Sequence, residues 1–106
     1  EAIHILDDLI SLSDQVLLNN MINYQIATLL IYQNKPLEAI SRLEAIEDGN
    51  IYEELSTIFL AEIYDLILKD SEKAKIYYLS ILQNFPLSIY YENIRLRLKQ
   101  IMAEAS

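Results

Sequence analysis

The 106-residue sequence has no cysteine, no tryptophan, one glycine (Gly49), two prolines (Pro36 and Pro86) and one histidine (His4). Without cysteine there is no disulfide framework, and the redox compartment is left open. One glycine cannot build a glycine-rich phosphate loop. So few chain breakers also count against an all-β fold, which needs a turn signal roughly every 8–12 residues. Bases are scarce as well: eight Lys and Arg stand against 16 Asp and Glu, a formal net charge of −8. Nucleic acid and anionic membrane surfaces demand clustered Lys and Arg, so neither is expected as a partner. No apolar run approaches the roughly 18–20 residues that span a bilayer, and no direct membrane insertion is expected.

What is present is apolar: 53% of the residues, too rich in Leu, Ile and aromatics for a disordered chain. The length suits one domain with a modest core. The sequence opens at Glu1 without a signal peptide or lipidation motif, and we read it as a piece of a longer chain. Its charge is uneven. Residues 1–68 carry 12 acids against Lys35 and Arg42, a balance of −10, while residues 69–106 carry six bases against four acids, a balance of +2.

Apolar residues recur at helical spacing along nearly the whole chain. Ile3, Leu6, Leu9 and Ile10 mark a first helix, after which Ser13 or Asp14 can cap a second. That second helix carries Val16, Leu17, Met21, Tyr24, Ala27, Leu30 and Ile31. Asn34-Lys35-Pro36 stops it and opens a third, because proline is suited to the first helical position. The third presents Leu37, Ile40, Leu43 and Ile46 and is expected to end at Gly49. Asn50 caps a fourth, with Ile51, Leu55, Ile58, Phe59, Tyr64 and Leu66. Asp70 or Ser71 caps a fifth, with Ala74, Tyr77, Tyr78, Ile81 and Leu82. Asn84-Phe85-Pro86 closes it, since the residue before proline is pushed out of the α region. Ser88 caps the last, through Ile94, Leu98, Ile101 and Met102. Such short connections make neighbouring helices antiparallel.

The helices repeat. Ala27 and Ala39 are 12 residues apart, Ala27 and Ala61 are 34 apart, and Ala61 and Ala74 are 13 apart. Small residues at these places let two helix backbones approach closely. Leu60-Ala61-x-x-Tyr64, then Ala74-x-x-x-Tyr78 and Pro86, follow the same scheme. The extra residue between Ala61 and Ala74 is expected in the turn around Lys69–Asp70. This pattern resembles the tetratricopeptide repeat, a helix-turn-helix unit of roughly 34 residues with small residues at its helix crossing and a closing proline. Asn23 and Thr57 stand where the family has tryptophan, and Ile51 replaces the first closing proline.

The resemblance implies an all-α fold: about six helices in antiparallel helix-turn-helix hairpins, stacked as a short right-handed superhelix. Residues 1–12 would be the second helix of a preceding repeat, 14–50 and 51–86 two repeats, and 87–104 a capping helix. It also implies a concave face built by the first helix of each repeat. Mapped from Ala27, that face holds Met21, Tyr24, Thr28, Ile31 and Tyr32. Mapped from Ala61, it holds Leu55, Ile58, Glu62, Asp65 and Leu66. The groove so described is apolar and aromatic with an acidic rim at Glu62 and Asp65, which suits a protein or peptide segment carrying apolar residues with Lys or Arg. These residues could equally serve packing against a neighbouring repeat. The segment from Asn84 to Tyr90, followed by Arg95-Leu96-Arg97-Leu98, also resembles the ends of bacterial repeat proteins, among them periplasmic and outer-membrane lipoproteins of envelope assembly. That likeness implies a periplasmic or outer-membrane-associated setting.

Catalytic chemistry finds little support. His4 has no second histidine or cysteine beside it and reads as a partly exposed helix residue. Asp7-Asp8, Glu47-Asp48 and Glu53-Glu54 are adjacent pairs, whose side chains diverge on a helix, and read as solvated charges. Of Tyr77-Tyr78 and Tyr90-Tyr91, one member each is expected in a wedge between helices. Arg95, Arg97 and Lys99 give the last helix a basic side that could satisfy helix C-terminal carbonyls, pair with acids of the preceding hairpin or dock an acidic partner; the favoured reading is a solvated terminal cap, with no arginine on an inner seam. Two functions remain open. One is a non-catalytic interaction module without metal or cofactor. The other is an architectural C-terminal end of a longer helical array, with binding done elsewhere. An apolar edge at Ile3, Leu6, Leu9 and Leu17 could also pair two copies as a homodimer.

Overall fold

A computed structural model describes residues 16–46 and 51–104 of the chain. These residues form helices and no strand: α1 (Val16–Tyr32), α2 (Pro36–Glu44), α3 (Ile51–Glu62), α4 (Ser71–Asn84) and α5 (Tyr91–Glu104), with a π-helical segment, Ile63–Ile67, continuing α3. The protein is therefore all-α and built of helical hairpins. The expected helix at 1–12, and the caps at Ser13 or Asp14, Gly49 and Asn50, lie outside the described residues. The chain divides into two compact units at Ser56–Thr57, within α3.

In the first unit α1 packs against α2 as an antiparallel hairpin. The turn between them is a Schellman cap. Lys35 N–H donates to the Leu30 carbonyl at 2.8 Å and Asn34 N–H to the Ile31 carbonyl at 3.0 Å, with Asn34 at φ 64°. Asparagine tolerates that left-handed conformation better than most residues. Pro36 then occupies the first turn of α2 as expected. The core here is Ile22, Ile26, Ala27 and Leu30 from α1 with Ala39, Ile40 and Leu43 from α2 and Ile46 beyond it. Ala27 and Ala39, placed by their spacing at the helix crossing, are both fully buried.

Two expectations change in this unit. Helix α2 stops at Glu44, short of Gly49, because the Ile46 amide turns back to the Leu43 carbonyl at 3.1 Å and buries Ile46. Leu37, counted among the apolar positions of this helix, is exposed at 71%, while Leu17, expected at an apolar edge, is exposed at 56%. Ile22 and Ile26 take the buried face of α1. Apolar and polar residues are both spread around that helix, so its sequence does not single out one inner stripe.

In the second unit α4 packs against α5 and against the π segment. Asp70 caps α4 by accepting from the Lys73 amide at 3.2 Å. Phe85, held before Pro86, ends the helix with φ −131°. Ser88 acts one step earlier than a helix cap: its hydroxyl accepts from the Tyr90 amide at 3.1 Å, shaping the turn that leads into α5. Ala61, Ala74 and Ile81 are fully buried, with Ile63, Tyr64, Tyr78, Ile94, Leu98 and Ile101 around them. Tyr64 stacks on Tyr77, with centroids 5.6 Å apart and planes 7° from parallel, and the Lys73 ammonium lies 5.3 Å from the Tyr64 ring centroid.

The extra residue between Ala61 and Ala74 is absorbed upstream of the turn. The segment Ile63–Ile67 widens to the i→i+5 pattern, with the Leu68 amide on the Ile63 carbonyl at 2.9 Å, and Asp70 N–H reaches the Tyr64 carbonyl at 2.7 Å. A single inserted residue is what a π turn accommodates without ending the helix. Lys69 then reverses the chain at φ 56°. A side chain with a Cβ is disfavoured there, so Lys69→Gly is expected to stabilise the fold by about 1 kcal/mol relative to Lys69→Ala, which loses the same charge but keeps the Cβ. Urea unfolding of the two variants, followed by circular dichroism, measures that difference. Equal midpoints would show that the conformation carries no such cost.

Candidate functional site

Two depressions on the protein collect most of the expected concave-face residues, one in each unit. The first, about 590 Å³, is lined by Met21, Tyr24, Gln25, Thr28, Leu29, Tyr52 and Leu55. Residues 21, 24, 25 and 28 repeat at three- and four-residue steps, so they share one face of α1 and look away from the face that buries Ile22 and Ile26. The Tyr24 and Tyr52 rings meet at 5.9 Å with planes tilted by 57°, a geometry favoured by the ring quadrupoles. Thr28 turns its hydroxyl back onto the Tyr24 carbonyl at 3.1 Å. Ile31 and Tyr32 do not line the depression; Tyr32 stands 88% exposed at the end of α1. Tyr52 was not legible as a lining residue, since it sits in the first turn of α3, beyond the positions that the repeat spacing marks.

The second depression, about 270 Å³, lies in the C-terminal unit and brings together Ile58, Glu62, Asp65 and Leu66 from α3 and its π segment. Tyr78 from α4, and Tyr90, Asn93, Ile94 and Arg97 at and within α5, complete it. Asp65 differs from its expected place on an open acidic rim. It is only 6% exposed, and its carboxylate is the centre of a closed cluster. Arg97 grips it with two parallel bonds, Nε to Oδ2 and Nη2 to Oδ1, both 2.7 Å. Tyr78 adds its hydroxyl to Oδ2 at 2.9 Å. The remaining Arg97 nitrogen, Nη1, donates to Gln100 at 3.2 Å.

This corrects the reading of Arg97 as part of a solvated basic side. Its guanidinium is turned inward onto Asp65, with about a third of the side chain left in solvent. Arg95, by contrast, makes the exposed i,i+3 pair with Glu92. Asp65 and Arg97 are 32 residues apart, so no local spacing announces the pair. A π turn is the one feature that could have hinted at it, since π turns in helices often coincide with special side-chain placements.

The electrostatics follow from the geometry. The Arg97 hydrogen bonds hold Asp65 below the ordinary carboxylate range, against the opposing effect of burial, and the Tyr78 hydroxyl assists. Burial, then the hydrogen bond to Asp65, pushes the Tyr78 phenol upward. Glu62 behaves in the opposite sense to Asp65. Although the residue is exposed, the depression partly desolvates its carboxyl, and this raises its pKa, with the Asp65 charge adding.

No group of three His, Cys, Asp or Glu side chains among the described residues could hold a metal ion. Nor is any helix among them long and apolar enough to cross a membrane. The class defined by this geometry is an all-α helical-hairpin protein with two shallow, largely apolar depressions. Neither a family model, nor a curated protein, nor a solved structure matches the chain. The tetratricopeptide likeness therefore stands on the residue spacing itself.

Proposed function

We propose that this protein is a non-catalytic interaction module of tetratricopeptide type, which holds a partner segment in the depression on α1 and the start of α3. One observation carries the reading: two tyrosines in ring contact, with Met21 and Leu55 beside them, line an open cavity of about 590 Å³. Aromatic rings supply large contact area at low entropic cost, and methionine adapts to irregular apolar surfaces. The acidic balance of residues 1–68 favours an apolar segment that also bears Lys or Arg. Helix-in-groove binding, with apolar anchors at helical spacing, is the recognition mode that fits.

An architectural end-piece is the alternative. Its support is the exposed apolar surface at the start of α1, where Leu17, the described residue of the edge expected to pair two copies, is joined by Val16 and Leu18.

A random-peptide display selection against the protein tests the first reading. Enriched peptides are expected to combine apolar anchors with Lys or Arg, and Tyr24→Ala is expected to weaken them by about 2 kcal/mol, roughly thirtyfold. Circular dichroism establishes that the variant is equally helical. A selection that enriches no Tyr24-dependent peptide overturns the module reading in favour of the end-piece.

A further inference from the structure

The second depression contains one acidic group without a counter-ion. Asp65 is already satisfied: its oxygens accept three hydrogen bonds, and Arg97 balances its charge. Glu62, three residues before it on the same helix, makes no hydrogen bond or ion pair with the other described residues. Besides the Asp65–Arg97–Tyr78 cluster and Asn93, the lining that Glu62 shares is apolar, with Ile58, Leu66 and Ile94 and the partly exposed Tyr90. A volume of about 270 Å³ falls just below the roughly 300–1,000 Å³ of small-molecule sites and suits one long side chain rather than a cofactor.

We propose that this depression receives a single lysine side chain from an apolar partner segment, its ammonium paired with Glu62 and its methylene stem laid along Ile58, Leu66 and Ile94. The inference rests on the binding-module reading and names the residue class that the second unit selects. Charge complementarity supplies the argument. Glu62 is an exposed carboxylate at the side of a partly apolar depression, and a cation brought beside it gains an ion pair that the exclusion of water by the partner strengthens. The apolar walls match a lysine stem, which buries along apolar surface while its head stays polar. Lysine is favoured over arginine because one carboxylate is available and Arg97 already holds the planar, bidentate position on Asp65. Tyr90 can add a cation–π contact.

The test uses isotope-labelled protein titrated with capped Leu-Lys-Leu tripeptide, followed by amide chemical shifts. Capped Leu-Gln-Leu and Leu-Arg-Leu, and calcium chloride alone, serve as comparisons. The lysine peptide is expected to shift Glu62, Leu66 and Ile94 saturably, and to bind about five- to tenfold more tightly than the glutamine peptide. Glu62→Gln is expected to abolish that preference with the circular dichroism spectrum unchanged. Equal binding of the lysine and glutamine peptides overturns the proposal, and so does a preference that survives in Glu62→Gln. The same shifts with calcium alone would reveal a general cation effect, and tighter arginine binding would reject lysine as the occupant. Tyr24-dependent peptide selection without a lysine preference removes this inference and leaves the module reading standing. Failure of both experiments removes both.

Discussion

Arg97→Met is expected to destabilise the protein by about 3 kcal/mol, the low end of the range for breaking a buried ion pair, because part of the Arg97 side chain remains in water. The loss arises from Asp65 rather than from a missing contact. Its carboxylate is buried between the π segment and α4, and without Arg97 only the Tyr78 hydroxyl still donates to it. A domain of this size has roughly 5–15 kcal/mol of stability, so the variant should unfold at a much lower urea concentration. The double variant Asp65→Leu, Arg97→Met is expected to recover much of the loss, since replacing both partners removes the unpaired charge. Recovery by the double variant separates a stranded charge from simple loss of side-chain packing.

The pH dependence has a defined sign. Asp65 is held below its unfolded value of about 3.9. Its contribution is therefore present above about pH 3.9 and lost as the pH falls through the lower folded value. Tyr78 is held above its unfolded value of about 10, so its contribution is present below pH 10 and fades as the pH rises beyond it. In Arg97→Met the acid limb should reverse. An unpaired buried Asp65 favours the protonated form, so mild acidification from neutral pH stabilises that variant more than the wild type, in which only the raised Glu62 responds in this sense. Urea midpoints across pH 4–8 distinguish the two responses, and parallel curves would refute the assignment of the ion pair.

Ile26→Ala is the second large effect, about 2–5 kcal/mol, because Ile26 is fully enclosed and its removal leaves a cavity that the α1–α2 hairpin can only partly close. Leu17→Ala, on the same helix but largely exposed, should change stability by no more than about 0.5 kcal/mol. Thermal or urea unfolding of the pair measures which face of α1 is inward. Similar losses for both would contradict the burial pattern.

That contrast shows where sequence reasoning held and where it gave out. Punctuation was legible because it is local. Asn34, Pro36, Asp70, Phe85 and Pro86 act through their own backbone torsions and nearest hydrogen bonds, and each sits at the helix boundary expected of it. The alanine spacing was legible for the same kind of reason: only small residues fit a close helix crossing, and Ala27, Ala39, Ala61 and Ala74 are all fully buried. The inner stripe of α1 was not legible. Val16, Leu17, Ile22 and Ile26 are alike in chemistry, so burial depends on where α2 docks.

The two depressions divide in the same way. The resemblance marked one groove, with Met21, Tyr24, Thr28, Ile31 and Tyr32 from one repeat and Leu55, Ile58, Glu62, Asp65 and Leu66 from the next; the structure instead shows two depressions, with Leu55 beside Met21, Tyr24 and Thr28, and with Ile31 and Tyr32 in neither. It placed Asp65 and Glu62 together as a rim, two acids with the same expected role. The structure separates them: among the described residues Glu62 has no side-chain ion pair, whereas Asp65 is neutralised by Arg97 in a closed cluster.

The sequence by itself determined the all-α class, several helix boundaries and the burial of the spaced alanines, because those follow from backbone torsions, capping hydrogen bonds and side-chain size within a few residues. Only the tertiary structure decided which apolar residues of α1 are buried, that the inserted residue becomes a π turn, and that Arg97 reaches across 32 residues to Asp65. The physical reason is common to all three. Each depends on the docking of elements distant in sequence, where burial turns two ordinary charges into a pair that must be satisfied.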